Sequence, residues 1–233
     1  MLWPPLRDRN RQAELMDDPG LDEAVHRRAL AGLDRLQAVS RTATRIWNAV
    51  AGTVAGETSV RWLDVAGGSG RIASGIVAAA EKRGVTVRTV SVDLSGTAVR
   101  RTLETTAPQG LGVVANACRL PFASGTFDVA SCTLFLHHLD PPDVQQVLSE
   151  MTRVADLVVV DDLRRTRTGH LLAHIAGRLL SRSPVVHVDG PRSVEGAYTS
   201  SELLAICEDA GLTVVQSLRQ WPQRTLLVLR RKG

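Results

Sequence analysis

The main pattern of the chain, from residue 60 onward, is an alternation of short apolar runs with amphipathic segments of helical period. Short apolar runs bounded by turn residues are typical of buried strands, and apolar residues at i, i+3, i+4 and i+7 indicate helices. Their alternation predicts an α/β fold whose parallel sheet is covered by helices on both faces. The predicted strands are about 60–65, 87–92, 112–115, 127–133 and 156–161, and the predicted helices are about 70–83, 95–107 and 141–154.

The segment before this core follows another pattern. Residues 1–20 form a charged arm, and apolar residues at helical period predict helices at about 21–38 and from Ser40 onward. These helices precede the first strand and need not belong to the sheet. We therefore divide the chain into an N-terminal arm with a helical cap, 1–55, and a main domain, 56–233.

The segment after the fifth strand predicts a lid and a hairpin. Residues 168–181 have the pattern of an amphipathic helix, and the next residues are rich in Pro, Gly and Ser, which predicts a loop up to residue 199. We interpret 166–199 as an insertion that closes over the site. A helix of about 200–210 follows. Because their connection is short, the last two predicted strands form an antiparallel hairpin at the sheet edge, at about 213–218 and 224–230.

Composition and charge narrow the class of protein. Hydrophobic residues make up 44% and charged residues 22% of the 233 residues, which is typical of a globular protein with an apolar core. No apolar run reaches the roughly 18–20 residues that span a bilayer, and the charged N-terminus lacks the apolar centre of a signal peptide, so we expect a cytoplasmic protein. The net charge is +4, but the arginines are scattered and aromatic residues make up only 3%, so no nucleic-acid partner is predicted.

The cysteines and histidines do not form a recognisable metal motif. Cys118, Cys132 and Cys207 contain no C-x-x-C pair, which disfavours a disulfide framework and a structural zinc site. His170 and His174 have the i, i+4 spacing that metal sites use, but no third ligand is evident nearby in the sequence. We therefore predict no metal site.

The strongest motif is a glycine loop, 66–70, between an apolar strand and an amphipathic helix. Glycine lets a ligand approach the backbone, and the helix start offers unpaired N–H groups. The sequence Gly68-x-Gly70-x-x-Ala73 also fits a dinucleotide fingerprint. Asp64 precedes the loop, where a carboxylate would repel a pyrophosphate but would accept a hydrogen bond from the ammonium group of S-adenosylmethionine. The local charge therefore favours S-adenosylmethionine over a dinucleotide.

Asp93 ends the second predicted strand, at about the 20-residue distance past Gly70 that ribose-binding carboxylates have in nucleotide sites. Both cofactor classes predict this carboxylate. It therefore indicates a bound nucleoside without choosing between them. The other interpretation is an aspartate that caps the following helix.

Further motifs follow in order up to about residue 140. These are Asn116-Ala117-Cys118-Arg119-Leu120-Pro121-Phe122, then Phe127-Asp128-Val129 and Leu136-His137-His138-Leu139. With the glycine loop and Asp93, they resemble class I S-adenosylmethionine-dependent methyltransferases, above all the bacterial group similar to ubiquinone/menaquinone-biosynthesis methyltransferases. The segments 14–20 and 161–165 resemble a narrower group of small-molecule methyltransferases found with polyketide or quinone pathways.

The resemblance implies a Rossmann-like, doubly wound sheet of seven strands in the order 3-2-1-4-5-7-6, with strand 7 antiparallel. The sequence departs from the family pattern at two positions. Ala66 replaces the first glycine, which alanine tolerates if its φ is negative, and Asn116 replaces the usual aspartate but keeps an oxygen that accepts a hydrogen bond. The implied cofactor-binding residues are Asp64, Ala66, Gly67, Gly68, Gly70, Asp93, Leu94, Asn116, Ala117 and Thr133.

Histidines and aspartates are predicted at the carboxyl ends of strands four and five, where this kind of fold binds ligands. Our hypothesis is that His138 or His137 removes the proton of an acceptor hydroxyl or orients the acceptor. The alternative is a histidine that only caps or packs the loop. Asp161 and Asp162 are expected to hydrogen-bond the substrate or a histidine, or else to cap a turn.

The predicted lid helix offers a second interpretation, in which His170 or His174 is the base. Its apolar face is expected to cover an apolar acceptor. The same face is equally consistent with core packing or with the contact of a homodimer.

The function predicted from these residues is that of an S-adenosylmethionine-dependent O-methyltransferase of a small phenolic, quinol or polyketide-type acceptor. Carbon methylation of a quinol ring needs the same fold with a different pose of the acceptor. A protein that binds the cofactor without transferring methyl, such as a cyclase or a regulatory module, is the second alternative, and a nicotinamide oxidoreductase is the third. Fold alone does not choose among them.

Overall fold

The computed structural model describes residues 6–18, 20–106 and 110–232. Residues 1–5 and 19 of the predicted arm, and the last residue of the predicted helix 95–107, lie outside this described part.

The sheet has seven strands in the order β3-β2-β1-β4-β5-β7-β6, as the sequence predicts. The pairs from β3 to β5 are parallel, and β7 is antiparallel to both of its neighbours. The strands are β1 Ser59–Val65, β2 Thr86–Asp93, β3 Gly110–Val114, β4 Phe127–Thr133, β5 Ala155–Leu163, β6 Leu212–Gln220 and β7 Arg224–Arg231.

Every helix that the sequence predicts is present, with ends that differ by a few residues. Ser40 does not begin the second helix, because it is the last residue of the first and donates its hydroxyl to Gln37 O. The helices are α1 Glu23–Ser40, α2 Thr42–Val50, α3 Arg71–Glu81, α4 Gly96–Thr106, α5 Pro141–Val154, α6 Arg167–Leu180, α7 Pro184–Gly196 and α8 Ser200–Asp209.

The prediction of a loop up to residue 199 is wrong, because most of that stretch is helix α7. Pro184 stands at the start of the helix, where a proline needs no backbone partner. Val185 and Val186 are buried with Ala29 of α1. Tertiary packing of these valines therefore outweighs the low helix propensity of the proline and glycine residues in the segment.

Two apolar clusters hold helices against the two faces of the sheet. One contains residues of α5 and α8, and the other residues of α2 and α3, including the ring contact of Trp47 with Trp62 of β1. Helix α2 therefore packs on the sheet, while α1, α6 and α7 contact one another in a separate group. Within the described residues, no helix combines the length and the apolar character that crossing a bilayer requires.

Arg9 fixes the N-terminal arm to the loop after β4. Its guanidinium donates to the carbonyl oxygens of Gly196, His137 and Leu139, at 2.6, 2.9 and 2.7 Å. It also lies 4.2 Å from the centroid of the Tyr198 ring, a cation–π distance. The arm thus lies against the carboxyl edge of the sheet.

Candidate active site

The glycine loop follows β1 directly and contains three residues of positive φ. These are Ala66, Gly68 and Gly70, at 54°, 55° and 74°. The condition of a negative φ at Ala66 is therefore not met, and alanine stands in a left-handed conformation that costs roughly 1–2 kcal/mol. Backbone bonds hold the loop in place, because Gly67 N donates to Val92 O and Gly70 N donates to Gly67 O, at 3.1 and 3.0 Å.

Asp64 lies buried beneath the loop with one oxygen unpartnered. Its Oδ1 accepts a hydrogen bond from Ser131 Oγ at 3.1 Å, whereas Oδ2 has no hydrogen-bond partner among the described residues. Burial raises the pKa of Asp64 to about 7 in spite of the Ser131 hydrogen bond, and the charge of Asp93 adds to the rise. An unpartnered carboxylate oxygen of a residue that lines a cavity fits the ammonium group of S-adenosylmethionine.

Two glycines of the loop have different surroundings. A Cβ on Gly70 would lie 3.0 Å from Thr102 Cα, so the absence of a side chain lets α4 pack closely against the loop. A Cβ on Gly68 would meet no atom within 4 Å, and Gly68 lines the cavity. Gly68 is therefore the position at which the backbone of the loop is open to a ligand.

Asp93 joins the loop to the start of α4. Its Oδ2 accepts from Gly68 N at 3.0 Å, and its Oδ1 accepts from Ser95 N at 2.9 Å. The contact with the start of the following helix, which the sequence analysis considered as the alternative to ribose binding, is thus present. A carboxylate oxygen has a second acceptor position, so the binding of ribose hydroxyls stays a prediction.

Three further predicted cofactor-binding residues, Leu94, Asn116 and Ala117, lie at the ends of β2 and β3. Leu94 is 74% exposed. The amide oxygen of Asn116 accepts from Cys118 N at 2.8 Å, so it already closes a turn and has one further acceptor position for an adenine amino group. The role of these residues and of Ala117 stays a prediction. Of the predicted cofactor-binding residues, those that line the cavity are Asp64, Ala66, Gly67, Gly68 and Thr133.

His137 and Asp162 form a buried pair at the carboxyl edge of the sheet. Asp162 Oδ1 lies 2.6 Å from His137 Nδ1, and Asp162 Oδ2 accepts from His137 N at 3.0 Å. Burial disfavours the charged imidazolium, but the carboxylates of Asp162 and Glu14 outweigh burial and raise the pKa of His137 to about 10. The imidazole of His137 is therefore protonated at neutral pH, which favours the orienting role over that of a general base.

Glu14 reaches this pair from the N-terminal arm. Its Oε1 lies 3.7 Å from His137 Nε2 and 3.9 Å from His138 Nδ1, and it accepts a hydrogen bond from the hydroxyl of Ser193. Burial would raise the pKa of Glu14, but its interactions with both histidines bring that pKa below the usual value. An anionic Glu14 thus faces the two histidines of the loop after β4.

The neighbouring strand residue Asp161 has a different partner from Asp162. Asp161 Oδ2 lies 2.6 Å from Arg224 Nη1 in a buried ion pair with β7. Successive side chains of a strand point to opposite faces of the sheet, which separates the two aspartates. Only the hydrogen bond of Asp162 to a histidine follows the expectation from sequence.

The lid histidines are not part of this cluster. His170 Nε2 lies 3.0 Å from Glu195 Oε1 of α7, and the ring of His170 contacts that of His174. Neither histidine is among the residues that line the cavity. The geometry therefore gives no support to the interpretation of either as the base.

A cavity of about 300 Å³ connects the glycine loop with the histidine pair. Glu14, His137 and His138 line it together with the loop residues, and α1, α6 and α7 supply apolar walls. The apolar lining includes Leu30, Leu33, Leu36, Leu172, Leu180 and Val186. Polar residues line the cavity at the loop, around His137 and at Asp34, Asp189 and Arg224.

Two residues of this site have no place in the sequence prediction. Glu14 could not be assigned, because nothing in the spacing shows where the arm folds. Asp34 accepts from Ser69 Oγ at 2.6 Å and pairs with Arg101 at 3.0 Å, which ties α1 to the glycine loop. An aspartate within the apolar pattern of the helix 21–38 is a signal that could have identified it.

The fold, the glycine loop and the cavity at the carboxyl edge are those expected of a class I S-adenosylmethionine-dependent methyltransferase. Residues 63–156, from β1 to the start of β5, match the family model of a methyltransferase domain. The predicted enzyme class and cofactor are confirmed. The narrower resemblance to ubiquinone/menaquinone-biosynthesis enzymes stays a prediction.

Solved structures of methyltransferases share the fold. A SAM-dependent methyltransferase from Aquifex aeolicus aligns with a TM-score of 0.61 at 17% identity, over 86% of this chain and 97% of that chain. Magnesium protoporphyrin IX methyltransferase from Synechocystis PCC 6803 with bound SAH gives 0.60 at 14% identity, over 93% and 91%. The mitomycin 7-O-methyltransferase MmcR gives 0.60 at 20% identity, over 84% of this chain and 55% of that chain.

The fold is also shared with a protein of another activity, since the [4+2]-cyclase SpnF aligns with a TM-score of 0.57 at 14% identity, over 81% of each chain. A comparison with curated protein sequences gives no match. At these identities the alignments show the fold and do not identify the acceptor.

Gly68→Ala is expected to weaken the binding of S-adenosylhomocysteine about tenfold, or roughly 1.4 kcal/mol, because its methyl group would occupy the open side of the loop. Gly84→Ala is the matched control. Gly84 also has a positive φ, 73°, and open space around its Cβ position, but it lies in the turn after α3. Both variants should lose about 1 kcal/mol of stability, and calorimetry should show weaker binding for Gly68→Ala alone. Equal affinities of the two variants would contradict the assignment of Gly68.

Proposed function

We propose that the protein is an O-methyltransferase of a small, largely apolar acceptor that carries a hydroxyl group, of phenolic, quinol or polyketide type. The observation that carries this proposal is that the glycine loop and the buried His137–Asp162 pair line the same cavity. When bound, S-adenosylmethionine supplies a methyl group on a sulfonium ion, which a well-placed nucleophile can attack. The chain has to position that nucleophile and manage its proton.

The loop side of the cavity is proposed to bind the cofactor. Asp64 would accept from the ammonium group, and Gly68 would leave room for the ligand at the backbone. Asp93 would accept from the ribose hydroxyls. Leu94 and the turn at Asn116 and Ala117 would contact the adenine. Thr133, whose buried hydroxyl has no partner in the described part of the chain, would contact the ligand from the end of β4.

The acceptor side is proposed to be organised by the two histidines. His137, held by Asp162 and protonated, would donate from Nε2 to the acceptor oxygen and stabilise its anionic form. His138, whose side chain is 25% exposed, would take the hydroxyl proton. Asp162 touches no substrate in this scheme and positions His137. The apolar walls would bind the carbon skeleton of the acceptor.

The parts of the chain around the cavity have proposed roles as well. The arm and helix α1 of 1–55 would cap the site, and α6 and α7, within 166–199, would form its lid. The exposed apolar side chains of α6, Leu171, Ile175 and Leu179, are the proposed contact of a homodimer. The expected cytoplasmic location stays a prediction.

The proposal is tested by incubating the protein with S-adenosylmethionine carrying a radiolabelled methyl group and a panel of phenols, quinols and polyketide-type hydroxyl compounds. Label in a methyl ether of the acceptor is the expected result. Label on a ring carbon would show C-methylation instead. Binding of the cofactor without transfer to any acceptor would contradict the proposal and favour a non-methylating activity.

A further inference from the structure

Glu14, His137 and His138 lie close together, but Glu14 is too far from either imidazole for a direct hydrogen bond. Each residue offers one ligand atom, and these atoms all lie within 4.8 Å of one another. The carboxylate oxygen of Glu14 is 3.7 Å from His137 Nε2 and 3.9 Å from His138 Nδ1. Nitrogen–oxygen hydrogen bonds are about 2.7–3.2 Å long, so both separations are too long for direct hydrogen bonds.

These separations are close to the spacing of ligands on one metal ion. Zinc binds imidazole nitrogen and carboxylate oxygen at about 2.0–2.2 Å in tetrahedral sites, which places two ligand atoms roughly 3.4 Å apart. A shift of a few tenths of an ångström would bring Glu14 Oε1 and His137 Nε2 to that distance. Two histidines and one glutamate with an open fourth position are also a known catalytic zinc ligand set.

The residues around the group supply the outer contacts that metal sites need. Asp162 Oδ1 at 2.6 Å from His137 Nδ1 fixes the ring with Nε2 toward Glu14, which is the carboxylate–histidine arrangement of metal sites. The Ser193 hydroxyl holds the Glu14 carboxylate. Two of the three ligand side chains are buried, with 4% exposure for His137 and 7% for Glu14, and that of His138 is 25% exposed.

The charge of the group also fits a divalent ion. Glu14 and Asp162 bring two buried carboxyl groups to the histidines. Because uncompensated buried charge is costly, a divalent cation among these groups is electrostatically favourable.

From this arrangement we infer that Glu14, His137 and His138 bind a divalent transition-metal ion at the acceptor side of the cavity. Imidazole and carboxylate ligands suit Zn²⁺ and its neighbours better than Mg²⁺ or Ca²⁺, which prefer all-oxygen sites. The ion would hold the acceptor oxygen at its open position and lower the pKa of the hydroxyl. With the ion bound, His137 and His138 would act as its ligands, and the ion would take over from them the stabilisation of the acceptor oxygen. The inference goes beyond the proposed function, and the ion site does not depend on which acceptor is methylated.

The test is a calorimetric titration of the full, chelator-treated chain with Zn²⁺, together with the visible spectrum of the Co²⁺ form. The expected results are one Zn²⁺ per chain and the intense absorption of tetrahedral Co²⁺. Glu14→Gln should weaken Zn²⁺ binding by tenfold or more, because loss of even an outer-shell partner costs roughly 10–100-fold. Glu195→Gln, at the separate His170–Glu195 pair, is the matched control and should leave Zn²⁺ binding unchanged.

The binding of S-adenosylhomocysteine by each variant shows that it is folded and tests the cofactor site separately. Absence of Zn²⁺ and Co²⁺ binding by a chain that binds S-adenosylhomocysteine would overturn the metal site and leave the proposed function standing. Equal Zn²⁺ affinities of the wild type and Glu14→Gln would overturn the assignment of the ligands. Failure to bind S-adenosylhomocysteine would count against the proposed function alone.

Discussion

His137→Ala is expected to lower the free energy of unfolding by about 3–5 kcal/mol, the cost of leaving one partner of a buried ion pair uncompensated. His137 and Asp162 are both buried, and the imidazolium lies 2.6 Å from the carboxylate. In this variant the Asp162 carboxylate keeps only its hydrogen bonds from the backbone N–H groups of residues 137 and 163. It should also lose most of its methyl transfer, because the group that orients the acceptor is gone.

His138→Ala is the control for this prediction. Its side chain is 25% exposed, so the loss should be about 1 kcal/mol or less. Urea denaturation of both variants measures the difference. A loss of stability at His137 no larger than at His138 would show that the pair with Asp162 is not the buried ion pair described above.

Asp64→Asn is expected to weaken the binding of S-adenosylhomocysteine about 10- to 100-fold, or roughly 1.5–3 kcal/mol, because it removes a charged acceptor for the ligand's ammonium group. The wild type should also show a pH dependence. Burial raises the pKa of Asp64 to about 7, so below that pH the carboxyl of the free protein is neutral. The ligand favours the ionised form, so affinity should rise by up to tenfold per pH unit toward about pH 7 and then level off.

The Asn variant should lack this pH dependence. Asp128→Asn is the matched control, since Asp128 pairs with Arg61 at the beginning of β4 and does not line the cavity. Its affinity and its pH profile should equal those of the wild type. Affinity that rises as the pH falls below 7 would contradict the proposed contact of Asp64 with the ammonium group.

The order and direction of all seven strands are as predicted. The existence of the elements was predicted from local periodicity, and the strand order from the family resemblance. The alternation of strands and helices depends on local periodicity, which a sequence shows directly. The strand order 3-2-1-4-5-7-6 followed only from the resemblance, since pairing between distant strands leaves no trace in one sequence. The glycine loop with Asp64 and Asp93 was assignable because its residues are close together in the chain.

The elements that were missed depend on distant contacts. Helix α7 contains Gly190, Pro191 and Gly196, which disfavour a helix. It is held by the packing of Val185 and Val186 against α1. The approach of Glu14 to His137 depends on the arm, which Arg9 fixes to carbonyl groups far along the chain. Neither contact has a local signature.

Calorimetric titration of the wild-type chain with S-adenosylhomocysteine and with NAD in parallel, at about neutral pH, distinguishes the two cofactor classes. S-adenosylhomocysteine is expected to bind to one site per chain and NAD is not, because the buried carboxylate of Asp64 attracts an ammonium group and repels a pyrophosphate. Folded protein that binds NAD, or that binds neither S-adenosylhomocysteine nor S-adenosylmethionine, would contradict the assignment of the glycine loop to the sulfonium cofactor.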